Sequence, residues 1–144
     1  MNVEYILASK GREVRTITPD ASLEDALQRL CTERIGSLVV SENGTDLVGI
    51  LSDRDILYAI ADHGTAALGE SVGSVMTAKV YTCSRDDRVS AIMALMTDRR
   101  IRHVPVVEDG RLCGMVSIGD VVKQRLDDIQ GEADARREYV TNAM

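Results

Sequence analysis

Two short runs place a hydroxyl three residues ahead of a carboxylate: Ser52-Asp53-Arg54-Asp55 and Ser117-Ile118-Gly119-Asp120. Each follows an apolar stretch, Gly49-Ile50-Leu51 or Gly114-Met115-Val116, and opens a segment that reads as helix. The first turn of a helix leaves backbone N–H groups unpaired at the positive end of the helix dipole, which suits a phosphate. The serine hydroxyls add donors, and the carboxylates of Asp55 and Asp120 can each accept two hydrogen bonds from a ribose diol. Phosphate donors beside a diol acceptor amount to nucleotide chemistry. The same Ser-x-x-Asp spacing also stabilises a helix start on its own, as an N-cap with a capping-box acid. A single copy favours that simpler reading; two copies at equivalent corners of units expected to face each other favour the ligand.

Cations stand close by in the chain. Arg54 lies inside the first run, and Arg102 and His103 immediately precede Val104-Pro105. The planar fork of a guanidinium suits charge-assisted contacts, so Arg54, Arg102, His103 and Lys10 could converge on a phosphate. Water serves a surface arginine equally well, and His63 reads as a loop residue without a role. Catalysis is disfavoured, because no corner pairs a nucleophile with a base and His103 has no Asp or Glu orienter in the sequence. Cys31, Cys83 and Cys113 are widely spaced and form no CxxC or Cys/His pattern. They read as buried free thiols of a reducing compartment, with no metal site.

The elements that must hold these corners come from an internal repeat. Residues 14–64 lie over residues 80–130: Val14, Thr16, Asp20, Ile35, Val40, Glu42 and Gly44 fall on Val80, Thr82, Asp86, Ile101, Val106, Glu108 and Gly110, a displacement of 66. After one extra residue in the first copy, Leu47, Gly49, Ser52 and Asp55 fall on Leu112, Gly114, Ser117 and Asp120. Each copy reads as strand, helix, strand, strand, helix. Leu23, Ala26, Leu27 and Leu30 after a Ser22 N-cap, and Val89, Ile92, Met93 and Met96 after residues 84–88, mark one helical face each. The runs 37–40 and 104–107 read as buried strands. Turns at Glu42-Asn43-Gly44 and Glu108-Asp109-Gly110 reverse each chain into a hairpin. A second helix follows from about Arg54 and Gly119. One such unit leaves a sheet face or helix stripe uncovered, so the two are expected to pack through their sheets into one α+β body with pseudo-twofold symmetry. The expected organisation is a first repeat with its N-terminal segment over 1–70, a second repeat over 71–125 and a helical extension over 126–144.

The chain has 144 residues, 44% of them apolar and 28% charged, an ordinary globular composition. Its formal net charge of −6 provides no overall field for nucleic acid. No apolar run approaches the roughly 20 residues a membrane crossing needs, and the N-terminus lacks a basic region and a cleavage site. The expected location is cytoplasmic, with neither nucleic acid nor membrane as partner.

The combination of Gly49-x-x-Ser52-x-x-Asp55, Gly114-x-x-Ser117-x-x-Asp120, ArgHisValProValVal at 102–107 and ValMetThr at 75–77 resembles a CBS domain pair, also called a Bateman module. The likeness covers nearly the whole chain. It implies two βαββα repeats, usually dimerised into a flat disc, with adenosine ligands such as AMP, ADP, ATP, NAD or S-adenosylmethionine in two clefts and a regulatory role without catalysis. Carried over to this chain, Asp55 and Asp120 become ribose ligands with Ser52 and Ser117 beside them. One cleft would join Asp120 and Ser117 to Arg15, Thr16 and Ile35; the other would join Asp55 and Ser52 to Tyr81, Thr82 and Ile101. Ile35 and Ile101 would sandwich adenine, although core burial explains them as well. Thr77 and Pro105, from the motifs themselves, complete the candidate contacts.

The resemblance also implies unequal clefts. Arg102 and His103 correspond to Gly36 and Ser37, and Arg54 to Gly119, so positive charge is expected to gather in the Asp55 cleft. A homodimer is expected through the helices around residues 23–30 and 89–96, together with a regulated protein partner. A ligand-free interaction or dimerisation scaffold is the alternative. Beyond the second repeat, Val122, Leu126, Ile129, Ala133 and Val140 form an amphipathic helical stripe weakened by Gly131. It could serve the dimer or pack on its own domain.

Overall fold

Asn2 accepts the Tyr5 N–H and so starts α1 (Val3–Lys10), an element outside the repeats. The computed structural model describes residues 1–143, with side chains through residue 137, so Val140 of the expected stripe lies outside the described side chains. In the first repeat β1 (Thr16–Ile17) runs parallel to β2 (Ser37–Val40), which pairs antiparallel with β3 (Gly49–Ser52). Between β1 and β2, Ser22 caps α2 (Leu23–Glu33) by accepting the Asp25 N–H. Directly after β3 comes α3 (Asp53–His63), and a 3-10 turn at Gly64–Gly69 leads to the short α4 (Val72–Val75). The second repeat consists of α5 (Val89–Arg99), the hairpin β4 (His103–Glu108) and β5 (Arg111–Ser117), and α6 (Ile118–Ala143).

The expected first strand of the second repeat reduces to one bridge, Cys83 to Val106. The cause is a single residue. In the first repeat the Val39 N–H donates to the Arg15 carbonyl at 2.9 Å. The equivalents of these two residues are Pro105 and Tyr81, and proline has no N–H to donate. The bonds on either side of Cys83 survive, at 3.0 Å to the Pro105 carbonyl and 2.9 Å from the Val107 N–H.

Each repeat buries its own core, but part of each core is lent by the segment that precedes the other repeat. Val3, Ile6 and Leu7 of α1 join Val89, Ile92, Met96, Val104, Val106, Val116 and Val121 of the second repeat. In exchange, Ala67 and Val72 from the 64–75 segment join Leu23, Ala26, Leu30, Leu38, Val40, Leu51 and Ile56 of the first. The backbone repeats the exchange at equivalent positions: the Val3 and Glu4 amides donate to Asp87 and Arg85, and the Val72 and Gly73 amides to Ala21 and Pro19. Gly114 and Gly49 make room for it, since a Cβ would lie 2.6 Å from Leu7 Cδ2 or 2.6 Å from Met76 Sδ. So α1, which precedes the first repeat in the chain, packs on the second.

Helix α6 passes through Gly131 without a break, merging the second helix of the repeat with the tail. Its Val122, Leu126 and Ile129 are exposed, as is Leu57 on α3, so the apolar stripe does not fold back onto its own domain. The cysteines differ from the expectation of three buried thiols. Only Cys83 is buried, Cys113 is half-buried and Cys31, on the outer face of α2, is exposed. Burial pushes the Cys83 thiol up to about 12.

Candidate functional site

Both Ser-x-x-Asp corners close as reciprocal caps. Asp55 Oδ2 accepts the Ser52 N–H at 2.9 Å while Ser52 Oγ accepts the Asp55 N–H at 3.2 Å. Ser117 and Asp120 repeat the pattern at 2.9 and 3.2 Å. The capping reading is therefore realised, and it leaves carboxylate capacity over. Asp55 Oδ1 has only the Thr77 hydroxyl at 3.5 Å, and Asp120 Oδ1 has no hydrogen bond among the described residues.

Each corner opens on a cleft that crosses to the other repeat. The Asp120 cleft, about 430 Å³, places Ser117 and Met115 opposite Arg15, Ile35, Gly36 and Ser37, with Lys10 from α1 at its edge. In the Asp55 cleft, about 420 Å³, Ser52, Arg54, Asp55 and Thr77 lie opposite Tyr81, Ile101 and Arg102. His103 lines both. The cross-repeat pairing expected from the sequence is thus present for Ser117 with Arg15 and Ile35, and for Asp55 and Ser52 with Tyr81 and Ile101. Four candidates line neither cleft: Asp120, whose partners Ser117 and Lys10 line the first, and Thr16, Thr82 and Pro105. Thr16 sits in β1 with its carbonyl taken by Arg29, Thr82 is exposed beside the missing strand, and Pro105 is buried in β4.

The four candidate phosphate cations do not converge. Lys10 belongs to the Asp120 cleft, where its ammonium lies 2.6 Å from Asp120 Oδ2 and also donates to the Met115 carbonyl at 2.9 Å. Arg54 and Arg102 line the other cleft. Arg102 holds Asp53 at 2.5 Å, an ion pair that joins the repeats. Burial pushes the Asp120 carboxyl up, but the Lys10 bond and the Ser117 amide outweigh it and hold the group below its usual value. His103 sits below the ordinary histidine range, chiefly through burial and then through the charge of Arg102; Asp53 and Asp120 offset this in part.

Several lining residues escaped the sequence reading. Arg34 and Arg100 occupy equivalent C-caps of α2 and α5, both left-handed at φ 54, and each lines one cleft. The repeat alignment could have found them, since they precede Ile35 and Ile101. Lys79 and Tyr58 line the Asp55 cleft and Glu13 the Asp120 cleft. Glu13 and Lys79 are also equivalent, directly preceding Val14 and Val80, so the repeat alignment could have found them too; nothing in the spacing marks Tyr58, which reaches its cleft only through the fold. Among the described residues no His, Cys, Asp and Glu side chains cluster as a metal site, and no helix is long and apolar enough to cross a membrane.

The family model for the CBS domain matches residues 9–62 and 72–127. A mitochondrial CBS domain-containing protein of Arabidopsis thaliana, CBSX3, is 35% identical over 96% of this chain and 71% of its own length. The crystal structure of the CBS-domain containing protein ATU1752 from Agrobacterium tumefaciens superposes with a TM-score of 0.83 at 43% identity, covering 86% of this chain and 92% of that one. Similar structures also include complexes with ligands. The CBS domain pair of protein MJ0100, in complex with 5′-methylthioadenosine and S-adenosyl-L-methionine, has a TM-score of 0.75 at 26% identity over 89% of this chain and 98% of that one. CBSX2 in complex with AMP has 0.73 at 25%, over 88% and 96%.

Proposed function

Because this chain belongs to the CBS-domain family and carries the domain twice, we propose that it is a regulatory module that binds adenine nucleotides, AMP, ADP, ATP or NAD, without chemistry of its own. One observation carries the reading: two equivalent helix-opening corners, each with a carboxylate oxygen left over after capping, face apolar and cationic residues of the opposite repeat across clefts of about 420 and 430 Å³. That volume suits a nucleotide-sized ligand. The ribose diol would lie on Asp55 or Asp120, the base against Ile101 and Tyr81 or against Ile35, and the phosphate toward the arginines. The AMP and S-adenosylmethionine complexes of similar CBS pairs support a ligand of this class.

The module acts as a homodimer that signals to a protein partner. Exposed Leu57, Val122, Leu126 and Ile129 give a second copy an apolar surface to cover on α3 and α6, beside the α2 and α5 helices expected from the sequence. Mass spectrometry of ligand released by denaturing the purified protein should detect an adenine nucleotide. No released nucleotide, together with no thermal shift from AMP, ADP, ATP or NAD, would favour a ligand-free scaffold.

A further inference from the structure

Among the described residues His103 is the one that lines both clefts. It opens β4, opposite Ser117 of β5, and its ring crosses to the first repeat: a Cβ on Gly36 would lie 3.1 Å from Cε1 and 3.2 Å from Nε2. The repeat that generates two clefts supplies no second imidazole, because the equivalent of His103 is Ser37, short and buried in β2. Gly36 gives the ring its place and also confines it.

We propose that His103 couples the two clefts, so that a phosphate-bearing ligand in one claims the imidazole and weakens the binding of a second such ligand in the other. A neutral imidazole has one N–H donor and serves one phosphate. The charged groups that face the ring are Arg102, which directly precedes β4, Asp53 of α3, Lys10 of α1 and Asp120 of α6. Arg102 is tied to Asp53 and Lys10 to Asp120, so neither stands ready to replace the imidazole in the cleft that loses it. The coupling acts on the phosphate and leaves the base and ribose contacts alone.

The inference rests on the nucleotide reading, and the test separates the two. Calorimetry at pH 7.5 gives the AMP affinity of each cleft alone, in Asp55→Ala and Asp120→Ala, and of both clefts in the unaltered protein. After statistical correction, the product of the two dissociation constants in the unaltered protein should exceed the product of the single-cleft values by about tenfold, the loss of one charge-assisted contact. With adenosine the factor should stay within about twofold, and His103→Leu and His103→Ala should each bring the AMP factor close to one. A factor near one for AMP in the unaltered protein, an equal factor for adenosine, or a factor that survives both His103 variants would overturn the coupling. No AMP binding to the unaltered protein would overturn the nucleotide reading, and the coupling with it.

Discussion

Arg54 is the second residue of α3, beside the capped corner, and its counterpart in the other repeat is Gly119, so replacing it alters one cleft and has no equivalent in the other. Its guanidinium makes no ion pair among the described residues, and Lys79 and Arg100, which line the same cleft, make none either. The Asp120 cleft is different: Lys10 is held by Asp120, Arg15 by Glu13 and Glu33, and the Glu13 carboxylate adds negative charge to the wall. Arg34 is the one cation of that cleft without an ion pair among the described residues, against Arg54, Lys79 and Arg100 in the other, so most of the uncommitted positive charge lies in the Asp55 cleft. A charge-assisted contact contributes about 1.5 to 3 kcal/mol, and each 1.4 kcal/mol is about tenfold in affinity. With Lys79 and Arg100 near enough to compensate in part, Arg54→Ala should weaken ADP in the Asp55 cleft by about tenfold and AMP by less. Adenosine should change by no more than about twofold. The Asp120 cleft should keep its affinity for all three ligands. Titration calorimetry in an Asp120→Ala background isolates the cleft and gives the three ratios. An equal loss for adenosine, AMP and ADP would show that Arg54 does not read phosphate.

The left-handed caps give a second expectation. Arg100→Gly should raise the melting temperature by about 2 °C, because a non-glycine residue pays roughly 1 to 2 kcal/mol for that conformation and glycine's extra unfolded-state freedom returns part of it. The same variant should weaken AMP severalfold in the Asp55 cleft; a stabilised protein with unchanged AMP affinity would remove Arg100 from the site. Thiol labelling of the folded protein at pH 8 should modify exposed Cys31 first and leave Cys83 unreacted, since a thiol buried and raised to about 12 is almost wholly protonated there. Rapid labelling of Cys83 without unfolding would contradict the core arrangement. Light scattering at micromolar concentration should give twice the 15.7 kDa of one chain, and Leu126→Glu should lower that mass. A monomer in the unaltered protein would remove the second copy from α3 and α6.

The repeat, the caps and the hairpins were legible in the sequence because they rest on local rules: Ser22 and Ser52 cap the helices that follow them, and the turns at Gly44 and Gly110 reverse the strands. The cross-repeat joining of Ser117 to Ile35, and of Asp55 to Ile101, came from the family resemblance, and the geometry of both clefts agrees with it. The exchange of leading segments was not legible, since Val3 and Leu7 gain their partners only when the second repeat is in place. Lys10 shows the consequence. Read along the chain it is one of several cations, but α1 carries it onto Asp120, away from Arg54 and Arg102. Pro105 shows the opposite failure: it looked like part of a ligand motif, and in the structure its missing N–H shortens a sheet.

The central claim is that Asp55 and Asp120 hold the ligand while contributing to the fold only caps, each worth about 1 kcal/mol, and, for Asp120, a partly exposed ion pair with Lys10. Calorimetry with AMP on Asp55→Ala, Asp120→Ala and the double variant, with circular dichroism to establish that each remains folded, tests it directly. Each single variant should lose one cleft and keep the other, and the double variant should bind no AMP. AMP affinity unchanged in all three would contradict the account.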